Sequence, residues 1–203
     1  MSTHLDMFKH FIKTINKRNA EWKLNILLPY IKNSEKVLDF GCGDLSFARA
    51  LKRQFKKLMI TGVDVVDFKE ETKEVAFVAY AGKRLPFKDN SFDTVISFYV
   101  FHHCKDPQYA FRECLRVAKN RVIFVEAVWR IPFEIMFMRF LDIFFNSIKS
   151  LEIHPPTAFY SLEEWKEIIN RHKGKIKSIK KMKQNYLPAD VSVGVPYIFE
   201  ITK

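Results

Sequence analysis

The sequence predicts a doubly wound α/β domain built on a mostly parallel sheet of seven strands. Helical and strand patterns alternate along most of the chain, which is typical of a parallel sheet covered by helices on both faces. The first five predicted strands are almost continuously apolar, as expected for strands buried on both faces. Two further strand patterns close the chain and indicate an antiparallel pair. At 203 residues, 48% of them hydrophobic, the chain is long enough for one domain with a substantial core.

The N-terminal half contains two predicted helices followed by strands and turns. Apolar residues at helical spacing predict helices over about 5–15 and 20–31. An apolar strand over 36–40 then ends in a glycine turn, and a helix over 46–55 follows. Three more apolar runs predict strands over 58–64, 74–79 and 92–98.

The C-terminal half continues the alternation and then departs from it. A helix over about 106–117 leads into a β-branched run at 121–125, which predicts the fifth strand. An apolar helix over 132–149 is inserted after it. The remaining predicted elements are a helix over 162–171 and strands over 175–182 and 195–202.

The basic balance of the chain leaves its partners open. A formal net charge of +11 favours anionic partners such as nucleic acid, acidic lipid headgroups or phosphorylated metabolites, and it also fits a lysine-rich solvated surface. Basic residues crowd between Arg171 and Lys183 at about every second position, as on an exposed strand face. They are Lys173, Lys175, Lys177, Lys180, Lys181 and Lys183.

Cysteine usage and the first residues predict a cytoplasmic protein. Cys42, Cys104 and Cys114 lack the even count and paired spacing of a disulfide framework or a zinc site. The N-terminus has scattered charge and no apolar run before a cleavage site, so it does not resemble a signal peptide. We also expect no transmembrane segment, because charges interrupt the most apolar stretch.

The residues that follow the predicted strands indicate a nucleoside site, because ligands of a doubly wound sheet bind beyond the carboxyl ends of its strands. Gly41 and Gly43 allow a sharp turn and a close ligand approach, although a plain strand-to-helix turn has the same pattern. Asp64 ends the second strand, where a carboxylate can accept hydrogen bonds from both hydroxyls of a ribose. A nicotinamide site would require a third glycine where Ser46 stands, and Asp39 precedes the glycines. A different nucleoside cofactor is therefore favoured.

Three blocks in this order resemble the class I S-adenosylmethionine-dependent methyltransferases, in particular the type 11 family that includes ubiquinone and menaquinone biosynthesis enzymes. The blocks are Val-Leu-Asp-Phe-Gly-Cys-Gly at 37–43, Gly-Val-Asp at 62–64 and Leu-Pro-Phe-Lys-Asp-Asn-Ser-Phe-Asp-Thr-Val at 85–95. The resemblance implies a Rossmann-like methyltransferase fold with an antiparallel last strand, and methyl transfer from S-adenosyl-L-methionine. Length and the order of the predicted elements give one domain over 1–203, with N-terminal helices (1–35), a cofactor-binding core (36–127), a helical insertion that shapes the acceptor side (128–172) and closing strands (173–203).

The resemblance also assigns residues to each part of the cofactor. The methionine end falls to Asp39, Gly41, Cys42, Gly43, Ser97 and Phe98, the ribose to Asp64, and the adenine to Val65, Ala81 and Gly82. Two positions depart from the family pattern. Leu45 stands where a third glycine is common, and Ala81 stands where many members carry an aspartate for the adenine amino group. Adenine recognition is then left to main chain and apolar packing.

Methyl transfer is an in-line displacement, so holding the acceptor about 3 Å from the methyl group and excluding water can supply most of the acceleration. A base is optional. For a hydroxyl acceptor, His102, His103 or Tyr99 could take the proton, although the two histidines could instead cap or pack against the next helix. We expect no metal site at His102, His103 and Cys104, because adjacent residues converge on one ion with difficulty.

The acceptor expected from the sequence is small and apolar or lipid-like. The stretch Ser97-Phe98-Tyr99-Val100 lacks the Asn/Asp-Pro-Pro-aromatic pattern of enzymes that methylate planar amines, which disfavours nucleobase or glutamine acceptors. Two alternatives stay open. One is an RNA methyltransferase that uses the basic C-terminal face, and the other is a catalytically silent interaction module.

The segment 131–148 is the least expected feature of the sequence. On a helix its polar residues fall on one narrow side, which leaves an apolar face wider than burial against one sheet requires. Core packing, a lid over the substrate, a homodimer interface and peripheral membrane contact are all compatible with this pattern. The polar residues are Glu134, Arg139, Asp142 and Asn146.

Overall fold

The computed structural model describes residues 2–31, 34–66, 74–149, 155–182 and 194–203. The helices are α1 (Ser2–Ile31), α2 (Ser46–Gln54), α3 (Pro107–Val117), α4 (Pro132–Lys149) and α5 (Leu162–Arg171). The strands are β1 (Lys36–Phe40), β2 (Met59–Asp64), β3 (Ala76–Ala79), β4 (Phe92–Phe98), β5 (Ala118–Val128), β6 (Lys175–Lys181) and β7 (Val195–Thr202). A 3₁₀ turn, Phe101–His103, lies between β4 and α3.

The strands form one sheet in the order β3-β2-β1-β4-β5-β7-β6. Strands β1 to β5 are mutually parallel, whereas β7 runs antiparallel to both β5 and β6. The predicted seven-stranded, mostly parallel sheet with an antiparallel close is therefore confirmed. After β1 the chain places β2 and β3 on one side of it, and then β4 and β5 on the other side. This reversal of winding between β1 and β4 creates a crevice at the carboxyl ends of those strands.

The apolar strands are buried because helices cover both faces of the sheet. On β5, Val122 and Phe124 join one core layer, and Ile123 and Val125 join the other. Adjacent residues of a strand point to opposite faces, so a strand covered on both sides must be apolar throughout. This is the physical basis of the continuous apolar runs in the sequence.

The N-terminal prediction of two helices is wrong in detail, because α1 is one continuous helix. The polar stretch between the predicted helices includes Lys17 and Arg18, which are exposed. Lysine and arginine are good helix formers, so a polar stretch interrupts the apolar pattern without ending the helix. Strand β5 is also longer than predicted, and β3 is shorter.

The basic run forms the outer edge of the sheet. Lys175, Lys177, Lys180 and Lys181 are exposed on β6, and Lys177 contacts the buried carboxylate of Glu200 at 3.0 Å. Charged side chains on an edge strand oppose pairing with another chain. The lysines of this run that the structure describes are therefore exposed, as predicted. Lys183 lies outside the described residues. No helix in the described part of the chain has the length and apolarity to cross a membrane.

Candidate active site

A cavity of about 670 Å³ lies at the carboxyl ends of the strands, beside the point where the winding reverses. Residues from the ends of β1, β2 and β4 line it, together with the loop after β3 and the 3₁₀ turn. Seven of the predicted cofactor residues are among them: Gly41, Gly43, Asp64, Val65, Ala81, Gly82 and Phe98. The other three, Asp39, Cys42 and Ser97, are buried and do not line the cavity.

Both glycines of the turn have positive φ, but they differ in the space around them. Gly41 has φ +73°, and a Cβ there would lie 2.3 Å from Cγ2 of Val100, so the position admits no side chain. Gly43 also has positive φ, +54°, but a Cβ built there would meet no atom within 4 Å. Gly43 therefore faces open space, and its N–H donates to Oδ2 of Asp64 at 2.9 Å.

Leu45 adopts the left-handed conformation that the family's usual glycine would favour, with φ 63°. Its side chain is nonetheless fully buried, and its Cδ2 occupies the space that a Cβ on Gly62 would need. Burial of the leucine offsets the backbone strain. The departure from the family pattern at this position is accommodated by packing.

Asp64 is held by the backbone around it. Its Oδ1 accepts hydrogen bonds from the N–H groups of Val65 (2.7 Å) and Val66 (3.3 Å), and Oδ2 accepts the one from Gly43. Burial raises the pKa of Asp64, and these three hydrogen bonds oppose the rise. The carboxylate is thus fixed in orientation at the cavity wall.

Asp39 is a buried carboxylate with an unmet hydrogen bond. Its Oδ2 has no hydrogen-bond partner among the described residues, although the side chain is only 4% exposed. Burial raises the pKa of Asp39 to about 7, and the ammonium of Lys23 lowers it only in part. Such an atom is costly unless a ligand or water supplies a donor.

Several cavity residues escaped the sequence reasoning, among them Lys23, Tyr80 and Tyr109. Lys23 comes from α1, and its ammonium lies 5.2 Å from the ring centre of Phe98. Tyr80 follows β3 and donates its N–H to the carbonyl of Asp64 at 3.1 Å. Tyr109 comes from the first turn of α3. No sequence pattern marked Lys23 or Tyr109 as a cavity residue. Tyr80 could have been found, because it directly precedes the predicted Ala81.

The block at 85–95 shapes the cavity through an arginine of α3. The Arg116 guanidinium donates to the carbonyls of Leu85 (3.0 Å) and Phe87 (2.8 Å) and to both oxygens of Glu113. Glu113 in turn accepts the N–H of Leu85 at 3.0 Å. This network ties the loop that follows Ala81 and Gly82 to α3.

The three candidate catalytic residues are placed differently. Tyr99 and His103 line the cavity, whereas His102 is 5% exposed and does not. Tyr99 has φ 54°, a strained conformation of the kind that clusters at functional sites. His102 Nδ1 lies 2.7 Å from Oε2 of the buried Glu126, whose Oε1 accepts the N–H of Phe101.

The protonation of His102 follows from its two acidic neighbours. Burial opposes a charge on the ring, but the carboxylates of Glu126 and Asp142 outweigh it and raise the pKa of His102 to about 9. Because His102 also does not line the cavity, it is not placed to act as a base on an acceptor. Of the two histidines, His103 is the one at the cavity wall.

Helix α4 docks through a mixed side that includes Met138 and Asp142, and leaves most of its described apolar side chains exposed. Arg139 donates to the carbonyl of Thr157 at 3.0 Å, and Asp142 faces the histidine pair. Met138 is the apolar side chain of α4 that is buried among those described. The exposed ones are Phe133, Met136, Phe137, Phe140, Ile143 and Phe144, each at least half exposed.

Comparisons with known proteins agree with this geometry. The family described as methyltransferase domain matches residues 38–125. A demethylmenaquinone methyltransferase of Thermotoga maritima is 33% identical over 109 residues, which are 51% of this chain and 48% of that protein. Cycloartenol-C-24-methyltransferase 1 of rice, Oryza sativa subsp. japonica, is 30% identical over 110 residues, which are 49% of this chain and 32% of that protein.

The fold comparison extends over the whole chain. The solved structure of an S-adenosylmethionine-dependent methyltransferase from Thermotoga maritima has a TM-score of 0.67 and 19% identity, and all of both chains is covered. The chain spans about half or less of the two curated relatives. Residues 38–125 therefore match a methyltransferase domain, and the fold of the whole chain is the one found in a solved methyltransferase structure.

Proposed function

We propose that the protein transfers the methyl group of S-adenosylmethionine to a small, apolar or lipid-like acceptor. The observation that carries the proposal is the cavity at the reversal of winding, which is lined by a glycine turn and a fixed Asp64 carboxylate. Behind this lining, the buried Asp39 has an oxygen without a hydrogen-bond partner among the described residues. A cofactor with a ribose and a zwitterionic end would supply a binding partner for each of these groups.

The residues present fit the cofactor in three parts. Asp64 accepts three backbone hydrogen bonds, two on Oδ1 and one on Oδ2, and its remaining acceptor site on Oδ2 suits a ribose hydroxyl. The ammonium of the methionine end would supply charge opposite to Asp39, and Lys23 would lie on the side of its carboxylate. The adenine would lie between Val65 and the loop at Ala81 and Gly82, recognised by main chain and apolar contact.

At the reacting end, this chain's task is to position the acceptor. S-adenosylmethionine supplies an activated methyl group, so the protein needs to align the acceptor atom and exclude water. Tyr99 and His103 line this part of the cavity, where their side chains would contact the acceptor and align it. His102 would hold the turn in place through Glu126.

Support for an apolar acceptor comes from the relatives' names and from α4. One relative is named for demethylmenaquinone and another for cycloartenol, both largely apolar molecules. In this chain the apolar side of α4 lies exposed next to the acceptor end of the cavity. We propose that this surface takes up apolar acceptors from a membrane by peripheral contact, and a homodimer interface is the competing use.

Vesicle flotation tests that use of α4. Wild-type protein should float with vesicles that contain anionic lipid, and Phe140→Ser should reduce flotation several-fold. Arg112→Ser, on the exposed side of α3, is the control. Dimerisation that is lost in Phe140→Ser, without any flotation of the wild type, would favour the homodimer.

Calorimetry with S-adenosylmethionine tests the cofactor assignment. Asp64→Asn should weaken binding at least tenfold, equal to about 1.4 kcal/mol. Asp93→Asn is a matched control, since Asp93 also accepts two backbone N–H bonds, from Glu35 and Lys36, but at the amino ends of the strands. Absence of binding by the wild type at millimolar cofactor would instead indicate the silent interaction module.

An RNA acceptor is a weaker candidate because of where the basic residues lie. Strand β6 is separated from β4 by β5 and β7, so its exposed lysines lie at the edge of the sheet away from the cavity. RNA binding through β6 would fall steeply with added salt. Activity on a small acceptor that is insensitive to salt would exclude the RNA alternative.

A further inference from the structure

The histidine pair and α4 form a group of ligand atoms that the sequence did not lead us to expect. Nε2 of His102 lies 3.5 Å from Oδ1 of Asp142, and Nε2 of His103 lies 3.7 Å from the same oxygen. In the described part of the chain, these are the three His, Cys, Asp or Glu residues whose ligand atoms all lie within 4.8 Å of one another. We propose that His102, His103 and Asp142 bind a divalent first-row transition cation, with zinc as the reference ion.

Two of the three ligand-atom separations are close to those around such an ion. Zinc bonds of about 2.0–2.2 Å to imidazole nitrogen and carboxylate oxygen place tetrahedral ligand atoms roughly 3.3–3.5 Å apart. The distance from His102 to Asp142 lies in that range, and the one from His103 is about 0.2 Å longer. The two histidine nitrogens lie within 4.8 Å of one another. Two imidazoles and one carboxylate are also a donor set that zinc and iron(II) favour.

The surroundings of His102 are those of a metal ligand. Its Nδ1 is hydrogen-bonded to the buried Glu126 at 2.7 Å, which directs Nε2 toward Asp142. A carboxylate behind a ligating histidine fixes the tautomer and the ring orientation in metal sites. The ring also stacks on Phe159 with centroids 4.9 Å apart, so its position is set before any ion binds.

The backbone around the site is fixed as well. Thr157 donates its N–H to the carbonyl of His102 at 2.7 Å, and its hydroxyl donates to the carbonyl of Cys104. Arg139 of α4 donates to the carbonyl of Thr157. An ion held by both histidines and Asp142 would therefore cross-link α4 to the 3₁₀ turn beside the acceptor end of the cavity.

The inference does not depend on the proposed methyl transfer, because ion binding is measured directly. The full-length protein is analysed for co-purified metal, then stripped and titrated with zinc by calorimetry and with cobalt(II) by visible absorption. We expect one ion per chain and a cobalt spectrum of low coordination number. Asp142→Asn and His103→Gln should each weaken binding at least tenfold while the circular dichroism spectrum stays unchanged.

Two control variants make the test specific. Glu134→Gln removes another α4 carboxylate, which pairs with Arg130 outside the site, and should bind zinc like the wild type. Cys104→Ser removes the thiol that follows His103 in the sequence and should also bind normally. The proposal is overturned if the wild type shows no saturable uptake, if Asp142→Asn binds as tightly as the wild type, or if Cys104→Ser abolishes binding.

Discussion

The two ends of the cavity are built from different kinds of contact. At the cofactor end, main-chain groups and short side chains at the ends of β1 and β2 hold one another, as the N–H of Gly43 does with Asp64. At the acceptor end, long side chains meet from distant parts of the chain, as His102 does with Glu126 and Asp142. The first end is set by local backbone geometry, and the second by how the later helices dock.

The difference predicts which kind of substitution or condition each end of the cavity should be sensitive to. Backbone geometry tolerates almost no change in side-chain volume, so the cofactor end should respond to added atoms. A cluster of titratable side chains responds to charge and pH, and this should dominate at the acceptor end. An exposed apolar surface should be nearly neutral for stability.

The strongest expected effect is at the glycine turn, where Gly41→Ala combines positive φ with a 2.3 Å overlap onto Val100. Left-handed strain and overpacking together should lower the free energy of unfolding by roughly 2–5 kcal/mol. Denaturant unfolding of cofactor-free protein measures this loss.

Gly43→Ala is the matched control for that prediction. Its φ is also positive but its Cβ meets open space, so it should cost only about 1–2 kcal/mol in stability. Equal losses in the two variants would show that strain alone, and not contact with Val100, sets the sensitivity of the cofactor end.

Asp39→Asn should stabilise the cofactor-free protein while weakening cofactor binding. Because the pKa of Asp39 is raised to about 7, the folded state holds a proton that the unfolded chain loses near pH 4, so stability falls as pH rises between these values. Removing the charge should raise the free energy of unfolding at pH 8 on the order of 2–4 kcal/mol. Urea unfolding at pH 4 and pH 8 checks both size and sign.

A stabilising effect that is equal at the two pH values would contradict this account of Asp39. The matched variant is Asp93→Asn, because the pKa of Asp93 is lowered by its bonds to Lys36 and Glu35 against the opposing effect of burial. It should therefore destabilise the protein, most clearly above pH 4.

The fold and the cofactor end could be predicted because their signals are local. Each strand end and its glycines or aspartate are adjacent in sequence, so Gly41, Gly43 and Asp64 could be found in one pass and all reach the cavity. Residues such as Lys23 were missed because a surface lysine on a helix has no distinguishing pattern. The docked side of α4, with Met138 and Asp142, was also missed, since periodicity gives the faces of a helix and not which face docks.

At the acceptor end, the contact between His102 and Glu126 should make stability depend on alkaline pH. The pKa of His102 is raised to about 9, so its stabilising charge is complete below about pH 6.5 and is lost as pH rises through 9. The free energy of unfolding should fall by about 2–3 kcal/mol over this range. Glu126→Gln should remove most of the fall.

His172→Gln is the control for the alkaline window. Burial lowers the pKa of His172, with Arg112 and Arg171 contributing, so its stabilising effect is present at high pH and is lost on acidification. The fall between pH 6.5 and 9 should therefore persist in this variant. If Glu126→Gln kept the whole fall, another group would be responsible.

The smallest expected change in stability is for a substitution on the outer face of α4, and a buried neighbouring residue provides the comparison. Phe137 is 50% exposed, so Phe137→Ser should change the free energy of unfolding by less than about 1 kcal/mol. Met138 is 2% exposed and packs with Ala127 and Phe159, so Met138→Ala should cost about 2–4 kcal/mol. Thermal and denaturant unfolding of the two variants measures the difference. A large loss of stability in Phe137→Ser would mean that the apolar face of α4 is covered in solution. The acceptor end would then depend on apolar burial as well as on charge.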